Sequence, residues 1–314
     1  MSPLQRRRPF YGLLLRLLIT SACVGVSGAA ARNEVVPAAR LSVDLVAGAR
    51  TSPHPLLLTL GGPIYCIQLR HLAARLNASL ACADYPHNGY SGPGDRAARM
   101  EDWGNLAYLS AVAKYPAELR RQGVKISKLV LVGVSFSGYA NAELVATHPE
   151  LNPDALIVVD SYLDLPARFR ALPGYHETRR EMIAAIGGTP AQIPGAYEAR
   201  SPSHHLDGLA RAIRGGMTFV DVWSVSPGER REFVGATCSR LANSQWLSDL
   251  AAVLGRPVAG YVTQLPHAHA LWSFGQSLLA LANLAPSPRP LPARKFTFRP
   301  GGPVPAGSDC GPAK

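Results

Sequence analysis

The sequence predicts an α/β protein: a mostly parallel central sheet with helices on both faces and a helical lid inserted over one edge. Three observations carry this. Short apolar runs rich in β-branched residues recur along the chain, among them PLLLTL, LVLVGV, ALIVVD and MTFVDVW, and stretches with helical spacing separate them. Strands that read as continuous apolar runs are buried on both faces, and parallel neighbours need a crossover, usually a helix. The stretch LVLVGVSFSGYANAELV, residues 129–145, joins such a strand to a helix through Gly-Val-Ser-Phe-Ser-Gly. Residues 165–214, finally, are too long and irregular for a simple crossover in a compact sheet, and read as the lid.

The N-terminus reads as an export signal. Arg6, Arg7 and Arg8 precede a mostly apolar run, Leu13 to Val26, interrupted by Arg16, and small residues follow around Ala29 to Ala31 as an Ala-x-Ala type cleavage site. RRPFY also fits a loose twin-arginine pattern. The charge-free run after Arg16 is short for a membrane span, and Cys23 follows Thr-Ser-Ala, a poor lipoprotein context. The expectation is removal of residues 1–31 and a secreted or periplasmic protein, with membrane anchoring disfavoured.

Without that segment four cysteines remain, Cys66, Cys82, Cys238 and Cys310. An even number in an exported chain suggests two disulfides. Cys66 with Cys82 and Cys238 with Cys310 is the preferred pairing, because the first two flank a helix between neighbouring strands. No Cys-x-x-Cys is present, which argues against zinc or thioredoxin-like chemistry.

The elements follow in order. Residues 55–62 are a buried strand ending in glycines, 67–76 a helix, and 79–84 a short strand leading into the loop YPHNGYSGPGD. Residues 103–122 are helical, 128–134 a strand, and 139–147 the start of the next helix. Strands follow at 155–160, 217–223 and 257–263, then a closing helix at 271–284. The α/β domain spans 32–285, and the Pro-rich tail 286–314 is expected to run extended over the surface.

Apolar residues make up 47% of the chain and charged residues 17%, as in a globular protein with a sizeable core. The formal charge of +11 comes without a dense Lys/Arg patch interleaved with aromatics, which argues against nucleic-acid binding. It allows a weak association with anionic surfaces or substrates.

The segment 129–145 also carries candidate chemistry. A serine hydroxyl attacks only with a base beside it and when it projects from the sheet edge. A tight strand-to-helix turn projects it, but the positions two before and two after must then be small. Ser135 is flanked by Gly133 and Ser137. Ser137 would be flanked by Ser135 and Tyr139, and Tyr139 would clash. Ser135 is therefore the candidate nucleophile, with the Phe136 N–H at a helix N-terminus as an oxyanion donor.

Over residues 50–285 the sequence resembles the α/β-hydrolase superfamily. The resemblance implies a second oxyanion donor in TLGGPIYC, 59–66. Pro63 has no N–H, so Gly62 is the candidate, with Ile64 as the alternative. DYPHNGYS, 84–91, resembles the superfamily's Asp-x-x-Gly-x-Gly-x-Ser loop, which makes His87 a loop residue. The order nucleophile, acid, histidine puts the histidine in LPHAHAL. The familiar Gly-x-His ending places His269 at the histidine and His267 at the glycine, and His267 stays open as the alternative. His204 and His205 read as a polar loop pair.

The acid belongs at the C-terminal end of a strand, where it orients the imidazole and stabilises its cation. Asp160 ends ALIVVD. The commoner superfamily position follows the next strand, where Asp221 falls inside the strand, Glu229 lies beyond it, and no Gly-x-x-Asp turn occurs. GVSFSGYANAEL followed by ALIVVDSYLDL resembles the thioesterase domains of peptide and polyketide synthases. Their acid is the aspartate matching Asp160, and a helical lid follows it. Asp160 is the candidate, with Glu229 and Asp164 as alternatives. The chain departs from that pattern at Ser137, at Leu60 and in its export signal.

These readings point to a secreted serine hydrolase that cleaves carboxylic esters, lipase- or carboxylesterase-like, through an acyl-enzyme on Ser135. The expected partner is a small-molecule or lipid-like acyl substrate, and no cofactor is required. The pair His267-x-His269 would need a third ligand to hold a metal. A thioesterase or acyltransferase, a peptidase or amidase, and a non-catalytic binding protein of the same fold are the alternatives.

Overall fold

The structure is a computed structural model and describes residues 40–60, 63–84, 103–224, 240–287 and 289–306. The expected export signal, Gly62, His87, Glu229, Cys238 and Cys310 lie outside these residues.

Among the described residues eight strands form one sheet: β1 (Arg40–Asp44), β2 (His54–Thr59), β3 (Ser79–Asp84), β4 (Ile126–Val134), β5 (Ala155–Val159), β6 (Thr218–Ser224), β7 (Val258–Thr263) and β8 (Ala293–Phe298). Their order is β1-β3-β2-β4-β5-β6-β7-β8. The six inner strands run parallel, while β1 pairs antiparallel with β3 and β8 antiparallel with β7. The apolar runs have the expected cause. Side chains alternate between faces along a strand, and here both faces are covered. Leu56, Leu58, Leu129, Leu131, Leu156 and Val158 enter one core. Leu57, Val130, Val132, Ile157, Val159 and Val222 enter the other.

The second core is closed by α1 (Pro63–Leu76) and α10 (His269–Leu281). On the first face lie α2 (Leu106–Ala113), α3 (Tyr115–Arg121), α4 (Phe136–Thr147), α8 (Leu206–Arg214) and α9 (Arg240–Leu254). The helix expected over 103–122 is two helices. Asn105 caps α2 by accepting from the N–H groups of Ala107 and Tyr108, and Pro116 in the first turn of α3 forces the break. Residues 165–214 hold α5 (Leu165–Ala171), α6 (Glu177–Ile186), α7 (Pro194–Glu198) and α8. The last of these packs closely on α4: a Cβ on Gly208 would lie 1.8 Å from the Ala146 carbonyl oxygen.

Two strands were not anticipated. β1 lies ahead of the first strand expected, and β8 lies inside the segment read as a surface tail. Phe296 and Phe298 of ARKFTF are buried while Lys295 and Thr297 face solvent. That is the two-residue alternation of an edge strand, and the prolines before it obscured the pattern. A disulfide joins Cys66 of α1 to Cys82 of β3, with Cα atoms 5.9 Å apart. No helix among the described residues is long and apolar enough to cross a membrane.

Candidate active site

The sheet order reverses between β2 and β4, and ligands of open α/β sheets bind beyond the strand C-termini at such a crevice. Four adjacent parallel strands bring residues to this edge: Ser135 follows β4, Asp160 follows β5, Ser224 ends β6, and His267 follows β7.

Ser135 occupies φ 54°, ψ −121°, a conformation that few non-glycine residues adopt. Its N–H donates to the Val159 carbonyl at 2.8 Å, and its own carbonyl accepts from the Tyr139 N–H at 3.1 Å, so the turn is fixed at both ends. A Cβ on Gly133 would lie 2.5 Å from the Gly138 nitrogen, which is why that position is glycine. Ser137 is fully buried. Its hydroxyl accepts from the Val134 N–H at 2.8 Å and donates to the Val134 carbonyl at 2.9 Å. The second serine therefore staples the turn, and its oxygen is committed to backbone. Phe136 opens α4 directly after Ser135. Its ring packs with Trp103 and Tyr139, with centroids 4.9 and 5.7 Å away.

Asp160 also has a positive φ, 50°, and is buried. Its Oδ1 accepts from the Ser224 N–H at 2.5 Å. Its Oδ2 accepts from the Ser224 hydroxyl at 2.9 Å and from the Ala268 N–H at 2.7 Å. His267 Nδ1 stands 3.7 Å from the same Oδ2, just beyond hydrogen-bond length. Burial pushes the Asp160 carboxyl above its ordinary range, while His267, the Ala268 N–H and both Ser224 donors pull it back down.

The structure thus brings Asp160 together with His267 rather than with His269. Ala268, at φ 67°, turns the chain between the two histidines. His269 begins α10, is exposed, and donates its N–H to the Pro266 carbonyl. Among the described residues its side chain forms no ion pair. Ser135 Oγ makes no hydrogen bond among the described residues.

The remaining candidates occupy other places. Asp164 caps α5 by accepting from the Ala167 N–H at 2.6 Å. Asp221 lies inside β6, fully buried. Ile64 is in α1, in the turn after its first residue. His204 lies in a short 3-10 turn, and His205 Nε2 is 3.6 Å from the buried Glu143 carboxylate. Three contributors escaped the sequence reading: Ser224, the Ala268 N–H, and Asn141, whose Oδ1 accepts from the Leu60 N–H at 3.1 Å and ties α4 to the end of β2. Ser224 had a faint signal, since it ends the strand where the commoner acid position begins. Among the described residues no group of three His, Cys, Asp or Glu side chains could hold a metal ion.

No protein-family model matches the chain, and a search of curated proteins finds no significant match. Solved structures do resemble it. A proposed dipeptidyl aminopeptidase IV from Bacteroides ovatus matches with TM-score 0.54 and 11% identity, over 79% of this chain and 36% of its own. A puromycin-hydrolyzing peptidase from Mycobacterium tuberculosis matches with TM-score 0.51 and 17% identity, over 76% and 35%. An acylaminoacyl peptidase from Pyrococcus horikoshii matches with TM-score 0.50 and 15% identity, over 70% and 34%. The chain spans about a third of the length of the structures it resembles. At these identities the likeness establishes the fold, which is the α/β-hydrolase fold.

Proposed function

We propose that the protein is a serine hydrolase with Ser135 as nucleophile, His267 as base and Asp160 as acid, and that it cleaves an amide bond next to an aminoacyl group. The observation that carries this reading is the convergence at one sheet edge of a serine in the strained elbow conformation and a buried aspartate 3.7 Å from a histidine. The amide reading replaces the ester first expected, because the solved structures of like fold are described as peptidases.

The chemistry follows from the residues. His267 takes the hydroxyl proton as Ser135 Oγ attacks the carbonyl, and Asp160 stabilises the resulting imidazolium. The Phe136 N–H, at the start of α4, and the Gly62 N–H hold the oxyanion. The intermediate collapses, the amine leaves with the proton from His267, and the acyl group stays on Ser135. Water, deprotonated by His267, then releases the acid. The lid is expected to select the acyl or aminoacyl group.

The test is labelling with a fluorophosphonate probe together with turnover of aminoacyl amides and p-nitrophenyl esters. Wild type should be labelled and should turn over the amides. Ser135→Ala should not be labelled. His267→Ala should lose at least ~10³-fold in turnover, and His269→Ala should stay within several-fold of wild type. The reverse ranking of the two histidines would reassign the base, and labelling of Ser135→Ala would sink the site. Turnover of esters alone would return the protein to the ester class.

A further inference from the structure

A cleft of about 560 Å³ opens between α1 and α10, and none of Ser135, Asp160 and His267 lines it. Small-molecule sites are commonly ~300–1,000 Å³ in volume. α1 gives the cleft one stripe, Gln68, His71, Leu72 and Arg75, whose spacing puts them on a single helix face. α10 gives it Trp272 and Phe274. The two helices pack tightly beside it: a Cβ on Gly275 would lie 3.2 Å from Leu72 Cδ1.

The Pro-rich tail forms a further wall and holds one side chain there. The Arg289 carbonyl accepts from the hydroxyls of Ser277 and Ser287, both at 2.6 Å. The Arg289 guanidinium lies over the Phe274 ring, 4.5 Å from its centroid, and its Nη2 donates to the Ser273 carbonyl at 3.0 Å. Phe274 has non-helical backbone angles, φ −130° and ψ 24°, so α10 is kinked where Arg289 meets it. A guanidinium carries more N–H donors than this bond uses, and the side chain is set in place before any ligand arrives.

The charge around the cleft is one-sided. Neither residues 63–76 nor residues 269–306 include an Asp or Glu. Arg70, on another face of α1, pairs with Asp44 of β1 at 2.6 Å. Arg75 lines the cleft, is exposed, and forms no hydrogen bond or ion pair among the described residues. Two guanidinium groups without a carboxylate, beside Leu72 and an indole ring, match a ligand with an anionic head and an apolar body.

We propose that this cleft binds a small organic anion, whose carboxylate or phosphate is held by Arg75 and Arg289 and whose apolar body packs on Leu72 and Trp272. The site is separate from the serine-hydrolase chemistry and uses none of its residues.

Calorimetry with 2-naphthoate, 2-naphthyl phosphate and the neutral 2-naphthamide tests it. At least one anion should saturate a single site and bind ~10-fold or more tighter than the amide, and the tighter anion identifies the head group. Arg75→Met should abolish most of that preference and leave the amide unchanged, with Tm as in wild type. Arg289→Met should do the same, and Arg289→Lys should keep part of the preference. Arg70→Met removes an equal charge from α1 outside the cleft and should leave all three ligands unchanged. Equal binding of anions and amide by wild type, binding that does not saturate, or an equal loss in Arg70→Met and Arg75→Met overturns the proposal. Protein already labelled by the fluorophosphonate should bind the anion as tightly as unlabelled protein, and loss of binding on labelling would place the anion at Ser135 and overturn the separate site. If Ser135 is not labelled, the hydrolase reading falls and the comparison of Arg75→Met with Arg70→Met still decides this one.

Discussion

Ser224 gives both of its donors to Asp160, its N–H to Oδ1 at 2.5 Å and its hydroxyl to Oδ2 at 2.9 Å. Ser224 ends β6, the strand after which the superfamily more commonly carries its acid. In this chain the candidate acid, Asp160, stands one strand earlier, after β5, and the β6 position holds its carboxylate in place. The Asp160 carboxylate is therefore fixed from three strand ends at once: its own, Ser224 on β6, and Ala268 beyond β7.

That arrangement makes Ser224→Ala informative. Burial raises the Asp160 pKa and the Ser224 hydroxyl lowers it, so losing the hydroxyl raises it further. In the proposed mechanism the ionised carboxylate is the form that supports the His267 cation. The acidic limb of kcat/KM should accordingly move to higher pH in the variant. Hydrogen bonds to charged groups contribute about 1.5–3 kcal/mol, so kcat/KM should fall about tenfold or more, while Ser224→Thr should retain most of it. A uniform loss with an unmoved pH profile would mean that Ser224 only supports the fold.

The two serines of the elbow should separate cleanly. Ser137→Ala loses two buried hydrogen bonds to Val134 and should be less stable by about 1–3 kcal/mol. It should still be labelled by a fluorophosphonate at a rate near that of wild type. Mass spectrometry of labelled wild type should place the adduct on Ser135. An adduct on Ser137, or a silent Ser137→Ala that remains folded, would reverse the assignment.

What could be read from the sequence was what short segments decide. The inner strands were legible because burial on both faces writes a continuous apolar run. The sharp turn at the candidate Ser135 was legible because such a turn demands small residues at fixed offsets, and Gly133 and Ser137 meet that demand within one segment. The strand-end position of the candidate Asp160 was legible because it directly ends such a run. The choice between His267 and His269 depends instead on a left-handed turn at Ala268 and on a carboxylate more than a hundred residues away. Neither leaves a local pattern, and the Gly-x-His analogy pointed to His269, on the other side of the turn from the histidine that lies beside Asp160. Strand β8 was hidden by its setting, since its alternation is short and follows a run of prolines. Ser224 and Asn141 act across the sheet, where spacing along the chain says nothing.

Asp221 supplies a prediction about stability. It lies in β6 between Phe219 and Trp223, opposite Val158 and Gly260, and is fully buried. Among the described residues neither carboxyl oxygen has a hydrogen-bond partner. Burial, with a smaller contribution from Asp160, pushes its pKa up to about 8 from the ordinary 3.8. The folded protein therefore keeps this proton up to about pH 8, whereas the unfolded chain releases it near pH 4. Between those values the unfolded state binds fewer protons, so the contribution of this group to stability is complete below about pH 4 and is lost as pH rises toward 8. Asp160 is raised in the same direction, so part of the slope remains when Asp221 is removed. In denaturant titrations across this window, wild type should weaken with rising pH. Asp221→Asn should show a shallower slope and exceed wild type at pH 8 by an amount on the order of several kcal/mol. It should also keep fluorophosphonate labelling, because the charge that faces His267 belongs to Asp160. A slope identical to that of wild type would mean that Asp221 already ionises in the folded state and has a counter-charge.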